Sequence, residues 1–198
     1  MNDEIFEGAM NAFKIESESL LATAQVIDKE QFLKAVEVLS KAERIGSSGC
    51  GHSGIACRHF AHLMCCIERP ARFISPAEAV HGGLGFIQKD DVIVLASRGG
   101  KTDELMPIAD ICKKKGAVVI GITENLSSPL AEKSDIVIAM KITRECDKYN
   151  CQGTTSFTVL AAIFDALQTA VLENTGFQNE EFAVIHPGGA VGKRLNSK

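Results

Sequence analysis

Three short segments concentrate the residues that bind anions or move protons. The first, Ser47-Ser48-Gly49-Cys50-Gly51-His52-Ser53-Gly54, carries hydroxyls and a formal GxGxxG at Gly49, Gly51 and Gly54. Between a strand and a helix, that spacing suits a dinucleotide pyrophosphate. The second, Ser97-Arg98-Gly99-Gly100-Lys101-Thr102, has glycines that let the backbone approach an anion and hydroxyls at Ser97 and Thr102. A helix beginning there would aim its first amides at a phosphate, with Asp103 and Glu104 in a first turn that favours carboxylates. The blander reading is a helix capped by Thr102 behind a flexible turn. Gly100-Lys101-Thr102 echoes the end of a Walker A motif, but the upstream glycine spacing is absent. The third, Ser75-Pro76-Ala77-Glu78-Ala79-Val80-His81-Gly82-Gly83, places Glu78 and His81 on one helical face or one side of a tight loop. Either can do acid–base work, and histidine titrates nearest neutral pH.

The dinucleotide reading is weak on its own terms. It needs a carboxylate at the end of the second strand, about twenty residues further on. Glu68 has that separation but precedes Pro70 and the strand, and two helices precede the first strand. A glycine loop with hydroxyls serves a sugar or a phosphate equally well. His52, His59 and His62 suggest a metal, but no nearby carboxylate or cysteine completes a ligand set, so they read as structural.

The elements that must position these loops follow from periodicity. Ile5, Ala9, Ala12, Phe13 and Leu20 recur at helical spacing, as do Phe32, Ala35, Val36 and Leu39. Strands are expected at Arg44–Ser48, Arg72–Ile74, Asp91–Ala96, Ala117–Ile122 and Ile136–Ala139, the apolar runs implying cover on both faces. Between them come helices capped by Ser53 and running to about Ile67, from about Thr102 to Lys115, and after Ser128-Pro129. A long helix carries Phe157, Leu160, Ala161, Phe164, Leu167 and Val171 on one face. The tail, His186-Pro187-Gly188-Gly189-Ala190-Val191-Gly192-Lys193-Arg194-Leu195, is glycine-rich and expected to be irregular. Alternating strands and helices predict an α/β fold: a three-layer αβα sandwich around a five-stranded parallel sheet. The chain reads as one domain over 1–198, with N-terminal helices (1–42), an α/β core (43–175) and the tail (176–198).

Composition narrows the function classes. A net charge of −4 opposes a nucleic-acid groove, which needs a basic surface. The basic run Lys113-Lys114-Lys115 precedes Gly116, where a helix C-terminus prefers cations. The acidic start, Met1-Asn2-Asp3-Glu4, is unlike a secretory signal, and no uninterrupted apolar run has membrane-spanning length. Seven cysteines with no CxxC pair read as reduced core thiols of a cytoplasmic protein.

The assembly resembles the sugar isomerase (SIS) domain, in particular that of the arabinose-5-phosphate isomerase family, over nearly the whole chain. The resemblance rests on Glu78-Ala79-Val80-His81-Gly82-Gly83-Leu84-Gly85 and on His186 through Leu195, supported by Gly49 through Gly54, Ser97 through Glu104, and Asp165-Ala166-Leu167. It implies dimers or tetramers with interfacial active sites that interconvert D-ribulose 5-phosphate and D-arabinose 5-phosphate. No metal or organic cofactor is implied, and the two CBS modules common in the family are not expected here. Carried over by position, Ser47, Ser48, Gly49, Gly51, His52, Ser53, Ser97, Gly99, Gly100, Lys101 and Thr102 would line the phosphosugar pocket. His186 would transfer protons in an enediol mechanism, with His81 as the second acid–base group or as a partner of a sugar hydroxyl. The family typically has Lys where this chain has His52, and Ser-Gly-Glu where it has Gly99-Gly100-Lys101. A carboxylate implicated in catalysis thus becomes a cation, and Glu104 or Glu78 would have to replace it. Those departures leave open a reorganised acid–base set, a different phosphosugar, or a non-catalytic phosphosugar sensor. A phosphoheptose or hexulose-phosphate isomerase fits the fold but explains the His186–Leu195 tail less well.

Overall fold

The structure, a computed structural model, describes residues 3–197. Met1 and Asn2 of the acidic start, and Lys198 at the end of the expected domain span, lie outside the described residues. The elements run α1 (Asp3–Val26), α2 (Lys29–Lys41), β1 (Ile45–Gly49), α3 (Gly51–Cys65), β2 (Ala71–Phe73), α4 (Pro76–Ala79) and β3 (Val92–Ala96). There follow α5 (Met106–Lys114), β4 (Val118–Thr123), α6 (Pro129–Lys133), β5 (Ile136–Ala139), α7 (Thr155–Thr175), α8 (Asn179–Ile185) and α9 (Gly189–Asn196). Single 3₁₀ turns at Gly83–Phe86 and Asp103–Leu105 lead toward β3 and α5.

All five strands are parallel, in the order β2-β1-β3-β4-β5. Alternation along the strands divides the core. Val92, Val94 and Ala96 face α2, α3 and α7, where Leu39, Phe60 and Phe164 are buried. Ile93 and Leu95 face the other layer, with Leu105, Ile108 and Leu130. This is the expected three-layer sandwich, and strand positions agree with the apolar runs to within a residue or two. The chain leaves β1 toward β2 and returns on β1's other side as β3, so strand order reverses between β1 and β3. Open α/β sheets bind ligands at such a switch point, beyond the strand carboxyl ends.

Several local expectations are corrected. α1 forms, but Ile5 and Phe13 of its expected apolar stripe are 63% and 67% exposed, and its inward residues are Ile15, Ser19 and Thr23. The reason is that α1 lies along polar main chain after β5. Thr23 Oγ1 donates to Lys141 O at 2.6 Å and accepts from Lys141 N at 3.0 Å, while Ser19 Oγ accepts from Thr143 N at 3.0 Å. Ser53 does not cap α3, which begins at Gly51 directly behind β1 with Cys50 at the cap. The helix expected from Thr102 opens as the 3₁₀ turn, and α5 proper starts at Met106. The tail is helical, not irregular. Gln178 N donates to Glu181 Oε2 at 2.7 Å in a capping box that starts α8, and Asn196 Nδ2 donates to Ala183 O and Gly192 O, pinning α9 back on it.

α7 corrects the reading of apolar length, being long and apolar enough to cross a membrane by length and composition. It packs against α1, α2 and α3 with Val159, Ile163, Phe164 and Leu167 buried, as a core helix does. All seven cysteines are free, but only Cys57 and Cys112 are buried, while Cys65 and Cys151 are exposed. Burial pushes the Cys57 thiol far up and Cys112 up to about 11, which keeps both protonated and inert.

Candidate functional site

At the carboxyl ends of β1, β2 and β3 lies an open cavity of about 620 Å³. Its floor is Gly49, Cys50 and Gly51, where β1 passes directly into α3. No side chain caps α3, so the amides of its first turn are available to an anion. One wall is the α3 face that carries Gly51, Ile55 and Arg58 at helical spacing. The opposite walls bring Ser75 and His81 from around α4, and Glu104 from the 3₁₀ turn ahead of α5.

Arg58 and Glu104 are the charged groups of the lining. The Arg58 guanidinium stacks over the Phe73 ring, 3.9 Å from its centroid. That contact orients the fork while leaving its N–H donors open. Glu104 and burial together raise the Cys50 thiol, burial contributing more, so Cys50 presents a neutral thiol to the cavity.

Of the residues expected from the sequence, Gly49, Gly51, His81 and Glu104, one of the two replacement carboxylates, line this cavity. Ser47 and Ser48 lie beneath it, each with its hydroxyl proton donated to a main-chain carbonyl. Ser47 Oγ donates to Cys57 O at 2.8 Å and Ser48 Oγ to Ile74 O at 2.7 Å, both buried. Ser97 and Thr102 close their own loop: their hydroxyl oxygens stand 2.8 Å apart, and Ser97 Oγ accepts from Gly100 N at 3.1 Å. Gly100 adopts φ +65°, and a side chain there would strike Ser128 and Thr123. Gly99 and Lys101 border a separate shallow cleft with Arg98, Glu124 and Asn125. His52 stands at the N-terminus of α3, edge-on to Phe157 with ring centroids 6.4 Å apart, and Ser53 is half-buried beside it. Glu78 is exposed, and its carbonyl accepts from His81 N at 3.1 Å.

His186 is far from the cavity of its own chain. Its ring packs on Phe182 at 4.8 Å, and Phe182 borders a groove with Cys66 and Ile67 past the far end of α3. At 1.5 Å per residue, Gly51 and Cys66 are roughly 22 Å apart. His186 Nδ1 is buried without a hydrogen-bond partner among the described residues.

Sequence reasoning missed Arg58, for which the i, i+4, i+7 series Gly51, Ile55, Arg58 was the available signal. Among the described residues no cluster of three His, Cys, Asp or Glu suits a metal. β2 ends in Phe73, where a dinucleotide site would place its ribose-binding carboxylate.

Comparison with known proteins gives this geometry a context. The SIS domain family matches residues 38–170. Arabinose 5-phosphate isomerase KdsD of Pseudomonas aeruginosa is 38% identical over 167 residues, covering 84% of this chain and 51% of that protein. The chain spans about half the length of the curated relatives it matches. A Listeria monocytogenes structure, proposed to be a sugar-phosphate isomerase, superposes with a TM-score of 0.91 at 36% identity, covering 95% of this chain and 100% of that one. The Escherichia coli CFT073 protein c3406, solved in complex with arabinose 5-phosphate, superposes at 0.81 and 28% identity, covering 94% and 100%. With two thirds of its residues inside the family match, and its cavity at the strand carboxyl ends, this chain belongs to the SIS domain family.

Proposed function

We propose that this chain is a phosphosugar aldose–ketose isomerase of the D-arabinose 5-phosphate/D-ribulose 5-phosphate type, working through an enediol. The observation that carries the reading is the cavity at the β1–β3 switch point, where His81 and Glu104 face α3's uncapped N-terminus. The relatives named arabinose 5-phosphate isomerase, and the neighbour that holds arabinose 5-phosphate, support the substrate class.

In this reaction a base takes the proton from the hydroxyl-bearing carbon beside the carbonyl. The resulting enediol is reprotonated on the neighbouring carbon, while an acid moves protons between the two oxygens. Glu104, rather than the outward Glu78, is the carboxylate placed for such work, with His81 as its acid–base partner. His186 retains its proposed proton-transfer role only if a second copy delivers it, since its own cavity is too distant. Exposed Ile5, Phe6, Met10 and Phe13 along α1 offer apolar area for such a homodimer or homotetramer. Residues 1–198 act as one domain of a cytoplasmic enzyme without metal or organic cofactor, and no nucleic acid or membrane takes part.

Subunit mixing tests this reading. His81→Ala and His186→Ala are each expected to be inactive on D-arabinose 5-phosphate, and co-refolded mixtures should regain turnover at hybrid interfaces. Mixtures that stay inactive would remove His186 from a shared site. Wild-type protein that binds the sugar phosphate without converting it would favour the sensor, the reading encouraged by the separation of the two histidines within one chain.

A further inference from the structure

Arg98 does not line the cavity, yet it joins the connections that follow β3, β4 and β5, the first of which leads into the turn that places Glu104 on the cavity wall. Its Nε donates to Glu124 Oε2 at 3.1 Å, just past β4, and its Nη1 donates to Glu145 Oε1 at 3.0 Å, in the segment between β5 and α7. Its own carbonyl accepts from Thr123 Oγ1 and from Glu124 N, both at 2.9 Å. Glu145 is a carboxylate with 3% of its side chain exposed, and its other oxygen accepts from Ser156 N in the first turn of α7 at 3.1 Å. The segment from Glu145 runs on to Gly153, which packs so tightly on His52 that a Cβ would meet the His52 Cβ at 3.1 Å. One guanidinium therefore ties the Ser97–Thr102 loop to the wall that holds His52.

We propose that Arg98 is a positioning residue, clasping the Ser97–Thr102 loop to Glu124 and Glu145 so that the turn that follows the loop keeps Glu104 on the cavity wall. The proposal rests on the phosphosugar reading for its effect on affinity, but not for its effect on the loop. The geometry of the fork explains why arginine stands here. A planar fork satisfies two carboxylates on different segments at once, whereas a lysine ammonium offers a single point charge. A buried Glu145 without a cation is strongly unfavourable, so the pair also affects stability, and the test must separate the two roles.

Amide hydrogen exchange of residues 97–102 and the affinity for D-arabinose 5-phosphate are measured in wild type, Arg98→Met, Arg98→Lys and the double variant Arg98→Met/Glu145→Gln. In Arg98→Met the loop amides should exchange about tenfold faster with β3 and β4 unchanged. The dissociation constant should rise on the order of tenfold, because a slack loop misplaces Glu104 in the turn that follows it. In the double variant Glu145 no longer carries a buried charge and Glu124 keeps Lys141 Nζ at 3.5 Å, so Tm should recover while loop exchange and affinity stay as poor as in Arg98→Met. Arg98→Lys should fall between, and it carries the test if Arg98→Met does not fold. Unchanged loop exchange in the Arg98 variants, or affinity that returns with Tm in the double variant, would overturn the proposal. Wild-type protein that binds no sugar phosphate would instead sink the functional reading, with loop exchange still deciding the clasp.

Discussion

Replacing Ser48 with alanine separates two roles that the same hydroxyl could have. The family resemblance places Ser48 on the phosphosugar, yet its Oγ is buried and donates to Ile74 O at 2.7 Å. No other hydrogen bond reaches that carbonyl among the described residues. Ser48→Ala thus removes a bond and leaves a buried acceptor unsatisfied, at a cost of about 1–3 kcal/mol. Ser47→Ala is a built-in comparison, because its acceptor, Cys57 O, lies inside α3 and keeps its helical partner. That loss is the ordinary net value of one bond, about 0.5–1.5 kcal/mol. In a chain of this size each kcal/mol moves Tm by roughly 2–4 °C, so Ser48→Ala near 2 kcal/mol should melt about 4–8 °C lower. Calorimetry gives Tm and steady-state isomerisation gives KM. The expected result is the larger Tm drop for Ser48→Ala, with KM changed less than about twofold in both variants. A KM raised tenfold at an unchanged Tm would refute the reasoning and return the hydroxyl to the substrate.

Two further outcomes follow from the cavity and the core thiols. Arg58→Ala removes the cation of the lining while leaving the fold intact, since the residue is exposed; losing a charge-assisted contact should raise KM about tenfold or more with little change in Tm. An unchanged KM would place the substrate's charge elsewhere. Cys112 keeps its proton up to about 11 in the folded chain, against an ordinary 9.0. Above pH 9 the unfolded chain therefore binds fewer protons than the folded one, so stability should fall as pH rises from 9 toward 11, and Cys112→Ser should flatten that limb of the urea-midpoint profile.

The strands and the core helices were legible because burial on both sides of a parallel sheet demands apolar runs, as at Val92–Ala96 and Val118–Thr123. Ser128 was recognisable as a cap because capping chemistry is local, and its Oγ does accept from Ala131 N at 3.3 Å. Where local rules competed with long-range partners, the reading failed. α1's apolar stripe faces outward because main chain more than 110 residues away asks for the hydroxyls of Ser19 and Thr23. The glycines of the tail suggested irregular chain, yet the capping box at Gln178 and the Asn196 bonds to Ala183 and Gly192 hold two helices there.

By itself the sequence determined the layer architecture, the loops that meet at the strand carboxyl ends, and the family, since periodicity and glycine spacing are properties of neighbouring residues. Only the tertiary structure decided which hydroxyls are free. Ser47, Ser48, Ser97 and Thr102 look like ligands along the chain, but each is held by a partner that packing supplies. It also decided that Arg58 and Glu104 face the cavity while Glu78 and His186 do not, because a side chain's direction depends on where its helix is seated against the sheet.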